Sequence, residues 1–245
     1  MDRFCEPLPQ DEEIRHDHRR WIRTLFDETA GDYERIEWVV GFGAGRWYRR
    51  NGLRRGGLRP GMRVLDVGLG TGLLAREAVR IVGNPALVVG VDPSLGMLKA
   101  AQVPAGSHRI IGCVEQLPLA TGIFEFVCMG YVLRYLPRME DAFAEIHRVL
   151  RPGGQICILE ISRPHGLLVR AAWAAHIRGV LPVLTRLLGR AHDAPRLVDH
   201  LWDTIERSPK PDSVSRALEN CGYTCVQHQL DLGIFSAYLA KKPDR

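Results

Sequence analysis

The ten residues from Arg63 to Gly72, RVLDVGLGTG, constrain the fold of this chain more than any other stretch. Val64, Leu65 and Val67 form a short apolar run suited to a strand buried on both faces. Gly68, Gly70 and Gly72 follow at alternate positions, and Leu73-Leu74-Ala75 then opens a helical pattern. Strand, glycine-rich turn and helix in that order make a nucleotide-binding crossover. Glycine lets the turn take positive φ and lets a ligand come close to the backbone. The free N–H groups of the helix start attract a carboxylate or a phosphate. The spacing is not G-x-G-x-x-G, because Leu73 stands where that fingerprint has its third glycine.

From this point strand and helix patterns alternate. A helix runs to about Val82 and is stopped by Gly83-Asn84-Pro85, and Ala86 to Val91 is a strand that ends in Asp92. Ser94 to Ala101 reads as a helix with Leu95, Met97 and Leu98 inward. His108 to Ile111 is a weak strand, and Phe124 to Met129 a stronger one. Met139, Phe143, Ile146 and Leu150 then share one helical face with Ala142 and Val149, up to a stop at Arg151-Pro152-Gly153-Gly154. Ile156 to Ile161 is the next strand. The pattern predicts an α/β fold: a doubly wound, mostly parallel sheet with helices on both faces.

The flanks differ. Residues 11–28 are charged, with Ile14, Trp21, Leu25 and Phe26 on one helical face, and Tyr33, Trp38, Phe42, Trp47 and Tyr48 follow in short helices and turns. Residues 163–208 read as long and helical, divided by Pro182 and Pro195. A short helix after Pro211-Asp212 leads to strands at Tyr223–Gln229 and Ile234–Leu239, expected as an antiparallel hairpin on the sheet edge. At 245 residues the chain can bury its core as one domain. The expected divisions are 1–60 as an N-terminal helical lid, 61–162 as the ligand-binding core, 163–210 as a helical insertion on the substrate side, and 211–245 as the final helix and hairpin.

Composition excludes several classes. Hydrophobic content of 46% and charged content of 25% suit a soluble globular protein. The net charge of +5 comes from scattered Lys and Arg, so the basic stripe of a nucleic-acid module is missing. The six cysteines form no C-x-x-C pair, three of them lie in apolar strand-like runs, and no Cys/His cluster has metal-ligand spacing; His16 and His18 sit in a charged helix. No metal site is expected. The first residues, MDRFCEPLPQDEE, lack the apolar core of a signal peptide. Leu167 to Leu188 is broken by Arg170, His176, Arg178, Pro182 and Arg186, which rules out a spanning helix. A reduced, cytoplasmic protein is expected.

Ligands of an open α/β sheet bind outside the carboxyl ends of the strands, where strand order reverses. The glycine turn and Asp92 both lie there, and a carboxylate at a strand end can accept two hydrogen bonds from a ribose diol. That suits any adenosine-containing ligand, so NAD and S-adenosylmethionine are both open. The G-x-G-x-G spacing and the lack of a second nucleotide-binding half favour S-adenosylmethionine.

LDVGLGTG, VDPSLGML at 91–98, VEQLP at 114–118 and RVLRPGGQ at 148–155 resemble the successive motifs of class I S-adenosylmethionine-dependent methyltransferases. FDETAGDYERI at 26–36, GFGAGRWYRR at 41–50, the run from Val132 to Pro164 and the closing helix and hairpin resemble the ubiquinone/menaquinone C-methyltransferase family, over about residues 24–240. The resemblance implies that Gly68, Gly70 and Gly72 pack on the methionine part of the cofactor and that Asp66 organises their turn. It gives Asp92 the ribose hydroxyls, with Pro93 beside it, and lays Met97 against adenine. Val114 offers backbone groups to adenine, with Cys113, Glu115 and Met129 also on the cofactor side. Tyr33 closes over the sulfonium, and Arg134 faces the substrate. Three positions depart from the family pattern: Leu73 replaces an Asp, Cys113 an acidic residue, and Tyr135 an Asn.

Methyl transfer from a sulfonium is an in-line displacement from an activated donor, so alignment does most of the catalytic task. A base is needed only where the nucleophile carries a proton. Candidate bases or orienting groups are Tyr131, Arg134, Tyr135 and Glu160, which follow or end the fourth and fifth strands, with His176, His192 and His200 in the insertion. For Arg134 substrate contact is weighed above a structural salt bridge. The expected activity is methylation of a small, lipophilic ring substrate such as a quinone-pathway intermediate. Other readings are an O- or N-methyltransferase of a specialised metabolite or phospholipid headgroup, non-methyl use of the same cofactor, and a non-catalytic cofactor-binding subunit. Arg170, Arg178 and Arg186 drift about 80° per step on a helix, so the insertion reads first as a pocket wall and second as a surface for weak membrane docking. Assembly as a homodimer is also open.

Overall fold

Val64–Val67, β1, is buried at all four positions and lies in the interior of the sheet, as its unbroken apolar pattern requires. The computed structural model describes residues 12–40, 43–164, 166–176, 179, 204–205 and 208–244. Among the described residues three helices precede β1: α1 (Glu12–Thr29), α2 (Tyr33–Val40) and α3 (Gly45–Arg55). After β1 come α4 (Leu73–Val82), β2 (Val88–Asp92), α5 (Leu95–Ala100), β3 (His108–Ile111), β4 (Phe124–Gly130), α6 (Met139–Val149) and β5 (Leu150–Ile161). Then follow α7 (Leu167–Ala175), α8 (Pro211–Asn220), β6 (Thr224–Asp231) and β7 (Phe235–Lys241).

Among the described residues these strands form one sheet of order β3-β2-β1-β4-β5-β7-β6. The first five strands are parallel, while β7 pairs antiparallel with both β5 and β6. The order reverses between β1 and β4, so a crevice opens past Val67 and Gly130. Alternate strand residues feed two cores. Val64, Phe126 and Cys128 join Tyr48, Leu53 and Ala78 of α3 and α4 on one face. Leu65, Val127 and Met129 join Phe143, Ile146 and Leu218 of α6 and α8 on the other. Tyr48, fully buried, donates from its hydroxyl to the Ser236 carbonyl at 2.5 Å and so ties α3 to β7.

Several expectations are corrected. Residues 85–87 form a 3-10 turn capped by the Asn84 side chain, so β2 starts at Val88. Leu95 points outward and is half exposed, because it is the first residue of α5 and only Met97 and Leu98 reach the core. Helix α6 ends at Val149. Leu150 turns extended and β5 continues through Arg151-Pro152-Gly153-Gly154, with a register shift opposite Phe124 and Phe126 that absorbs the Pro-Gly-Gly. Cys128 and Cys157 are buried core residues, whereas Cys113 and Cys225 are exposed. Of the 163–208 region, α7 is its main described element; Arg178, Arg186, His192 and His200 lie outside the described residues, as do Cys5 and the side chains of His16 and His18.

Candidate active site

The glycine loop is shaped by positions that need a missing side chain. Gly68 has φ +71°, and a Cβ there would run into Val132 Cγ2. Gly70 has φ +54° and faces open space, its nearest neighbour being the Gly68 carbonyl at 4.0 Å. The Gly68 N–H donates to the Val91 carbonyl at 2.8 Å, which binds the loop to β2. Gly72 serves packing, since a Cβ there would lie 2.6 Å from Val103 Cγ1.

Asp92 ends β2 beside this loop. Its Oδ2 accepts the Gly70 N–H at 2.7 Å and its Oδ1 the Ser94 N–H at 2.8 Å. Burial pushes its carboxyl up, while those two amides pull it back. The Ser94 hydroxyl donates in turn to Asp27 Oδ1 of α1 at 2.5 Å, and the Gly96 N–H donates to the same oxygen at 2.7 Å. A side chain at position 96 would meet the Asp27 backbone at 2.7 Å, so Gly96 is what lets α1 lie this close.

A cavity of about 310 Å³ opens at this edge. Its walls include Val67, Gly68, Pro93, Cys113, Val114 and Glu115, together with Ile22 of α1 and Tyr135. A smaller cavity meets it at Gly68 and is lined by Gly70, Thr71, Leu73, Tyr33, Arg49 and Tyr131. Met97 and Met129 are packed in the core and Asp66 is buried at the end of β1, so none of these three lines either cavity. Asp66 Oδ1 accepts from the Cys128 thiol at 3.7 Å, and burial pushes its carboxyl well up.

Tyr33, Tyr131 and Tyr135 of the cavity walls belong to a buried aromatic and ionic cluster whose Arg134 and Glu160 line neither cavity. Arg134 pairs with Glu160 at 3.2 Å, with 3% and 2% of the side chains exposed, so the salt bridge ranked second in the sequence forms. It leaves Arg134 Nε and Nη1 without hydrogen-bond partners. The Arg134 guanidinium lies 5.5 Å from the Tyr135 ring centroid. Phe26 of α1 packs edge-on against both Tyr33 and Tyr135. Burial pushes the phenols of Tyr33, Tyr131 and Tyr135 up, which keeps them protonated as donors. Glu160 is also raised, mainly by burial; Arg134 opposes that, as do the Ile161, Arg134 and Leu133 amides. Tyr131 adopts φ +62°, a left-handed backbone that tyrosine rarely accepts, and its N–H is held by the Leu159 carbonyl at 2.8 Å.

The sequence reading missed Asp27, Glu37 and Arg49. Arg49 had a signal: Gly45, Tyr48, Arg49 and Gly52 share the buried face of α3 at helical spacing. Asp27 lies in the FDETAGDYERI segment, but that segment does not show its partners, which depend on where α1 lands. Among the described residues no His/Cys/Asp/Glu group could hold a metal, and no helix is long and apolar enough to cross a membrane.

The family model described as the ubiE/COQ5 methyltransferase family matches residues 13–242. The chain belongs to that family. As a member it is an S-adenosylmethionine-dependent methyltransferase, and the loop, the Asp92 strand end and the cavities lie at the carboxyl ends of the strands, where open α/β sheets bind their ligands. The methyltransferase is 30% identical over 230 residues to the ubiquinone/menaquinone biosynthesis C-methyltransferase UbiE of Stutzerimonas stutzeri, covering 91% of this chain and 89% of that one. The corresponding protein of Shewanella pealeana is 30% identical over 214 residues, 84% of each. In fold, the methyltransferase matches a SAM-dependent methyltransferase of Thermotoga maritima with a TM-score of 0.61 at 19% identity, covering 89% of this chain and 98% of that one. It also matches phosphoethanolamine N-methyltransferase 2 of Haemonchus contortus, solved with S-adenosyl-L-methionine, with a TM-score of 0.57 at 16% identity, covering 80% and 52%.

The residues present fit the cofactor. Gly70 leaves a cradle that a Cβ would fill, and buried donors on Arg49 and Thr71 lack partners beside it.

Proposed function

We propose that this methyltransferase methylates a ring carbon of a small, lipophilic quinone-pathway intermediate. The observation that carries the reading is the family match over residues 13–242, joined to a buried arginine with two free donor nitrogens among three protonated tyrosines. S-adenosylmethionine, when bound, supplies a methyl group already activated on sulfur. On this reading Asp92 takes the ribose hydroxyls, and Pro93, Cys113, Val114 and Glu115 enclose adenine. Gly68 and Gly70 meet the methionine part, and Gly72, Asp66, Met97 and Met129 support these contacts from behind.

The chain's own residues then position the substrate. Arg134 Nε and Nη1 donate to a ring oxygen and favour its anionic form, which raises electron density at the neighbouring carbon. Tyr33, Tyr131 and Tyr135 orient the ring as neutral donors, and their burial excludes water from the reacting face. Glu160 keeps Arg134 in place and receives the ring proton released after methyl transfer. We read residues 1–60 as a lid on a single domain, and weak docking at a membrane surface as the route by which a lipophilic ring arrives. The test is transfer of tritium from methyl-labelled S-adenosylmethionine in an extract supplied with the protein. Label in the lipid fraction is expected, on a demethylated quinone precursor. Label confined to water-soluble products would overturn the substrate class.

A further inference from the structure

We infer that Arg49 is the receptor for the α-carboxylate at the amino-acid end of the cofactor. The assignment rests on the cofactor reading above and names a residue for which neither the motifs nor the fold gives a role. The two cavities share Gly68, and the strand-end residues Pro93 and Cys113–Glu115 line only the larger one. A ligand whose adenosine occupies that side must send its other end past Gly68 into the smaller cavity. Arg49 is the charged side chain among the residues lining it. It reaches there from α3, with only 6% of its side chain exposed.

Two polar atoms of this lining are orphaned. Arg49 uses Nη1 to hold Glu37 Oε1 at 2.5 Å, but its Nε is buried without a hydrogen-bond partner. Thr71 Oγ1, in the glycine loop that lines the same cavity, is also buried and unpartnered. Unsatisfied buried donors are uncommon and call for an explanation. A guanidinium edge beside a hydroxyl is a matched receptor for a carboxylate. The groups facing Arg49 are Glu37, Tyr131 and Tyr33. The two phenols are neutral, so Glu37 supplies the single full negative charge among them and leaves the guanidinium edge to the ligand.

The experiment measures competition binding of two ligands to the full chain. S-adenosylhomocysteine carries the carboxylate, and its decarboxylated analogue, S-adenosyl-3-thiopropylamine, lacks only that group. Wild type should prefer S-adenosylhomocysteine by roughly 10- to 100-fold, the range for a hydrogen-bonded charged group. Arg49→Gln should lose that preference by weakening S-adenosylhomocysteine alone. The double variant Glu37→Gln/Arg49→Gln, which leaves no unpaired buried charge, should behave likewise and guards against a folding defect of the single one. An unchanged ratio of the two affinities, or unchanged S-adenosylhomocysteine binding by both variants, overturns the assignment of Arg49 alone. Failure of wild type to bind either ligand overturns the cofactor reading on which it rests.

Discussion

The Asp92 carboxylate holds the Gly70 N–H at 2.7 Å, so the tip of the second strand fixes the loop that follows the first. The same carboxylate holds Ser94, whose hydroxyl binds Asp27, and α1 is thereby linked to the loop through side-chain and backbone bonds. Asp92→Ala leaves the buried Ser94 N–H and the half-buried Gly70 N–H unsatisfied. Stability should fall by about 1–3 kcal/mol in denaturant titration, and S-adenosylhomocysteine binding should weaken beyond what the lost fraction folded explains.

Two glycines of the loop should separate folding from binding. Gly68→Ala drives a Cβ into Val132 and should lower the thermal midpoint by several degrees. Gly70→Ala meets nothing in the protein and carries only the left-handed backbone cost, about 1–2 kcal/mol. Its Cβ would occupy the cradle, so it should impair cofactor binding more than stability. Calorimetry of both variants, thermal and titration, checks the contrast.

Removing one member of the Arg134–Glu160 pair should be costly. Glu160→Gln leaves a guanidinium buried without its counter-charge, and stability should fall by about 3–5 kcal/mol. Arg134→Met combined with Glu160→Leu should recover most of that loss in urea unfolding. The double variant should remain inactive in methyl transfer if the pair serves the substrate rather than the fold.

Acid stability should respond to Glu145. The Arg148 guanidinium, with the Leu117 N–H at 2.8 Å, holds its carboxyl below the usual range. A carboxyl depressed in the folded state adds stability above its unfolded value, about 4.3, and that stability is lost as pH falls through the depressed value. Glu145→Gln should therefore be less stable than wild type at pH 6 and should lose less between pH 5 and pH 3. The two residues also grip the chain after Val114 and Glu115, because Arg148 donates to the Leu117 and Leu119 carbonyls.

Gly96 sets the approach of α1 to α5. Gly96→Ala should push Asp27 away, releasing both bonds it makes to the start of α5. Amide exchange should rise at residues 20–30 and at Ser94–Met97, with little change at β4.

Much of this arrangement was legible in the sequence because it depends on local rules. The apolar run before the glycines, the Gly83-Asn84-Pro85 stop and the α6 periodicity each give the observed element. Asp92 could be placed because a strand end in an open sheet has a known location. What was hidden depends on which distant segments meet. Arg134 and Glu160 pair across two loops, and Asp27 caps a helix that lies 69 positions onward. Leu95 and the Arg151–Gly154 strand extension misled the reading for another reason. Hydrophobicity does not say which end of a short helix is buried, and Pro-Gly-Gly signals a stop unless a bulge accommodates it.

The bond from Tyr48 to the Ser236 carbonyl spans 188 positions, and β7 sits between β5 and β6. During synthesis, then, β5 leaves the ribosome with one edge bare until the seventh strand has emerged. The nascent protein must pass that interval unfinished, holding an apolar border open to any neighbouring extended chain. Slow translation of its last fifth should raise its need for chaperones more than slow translation of the glycine loop.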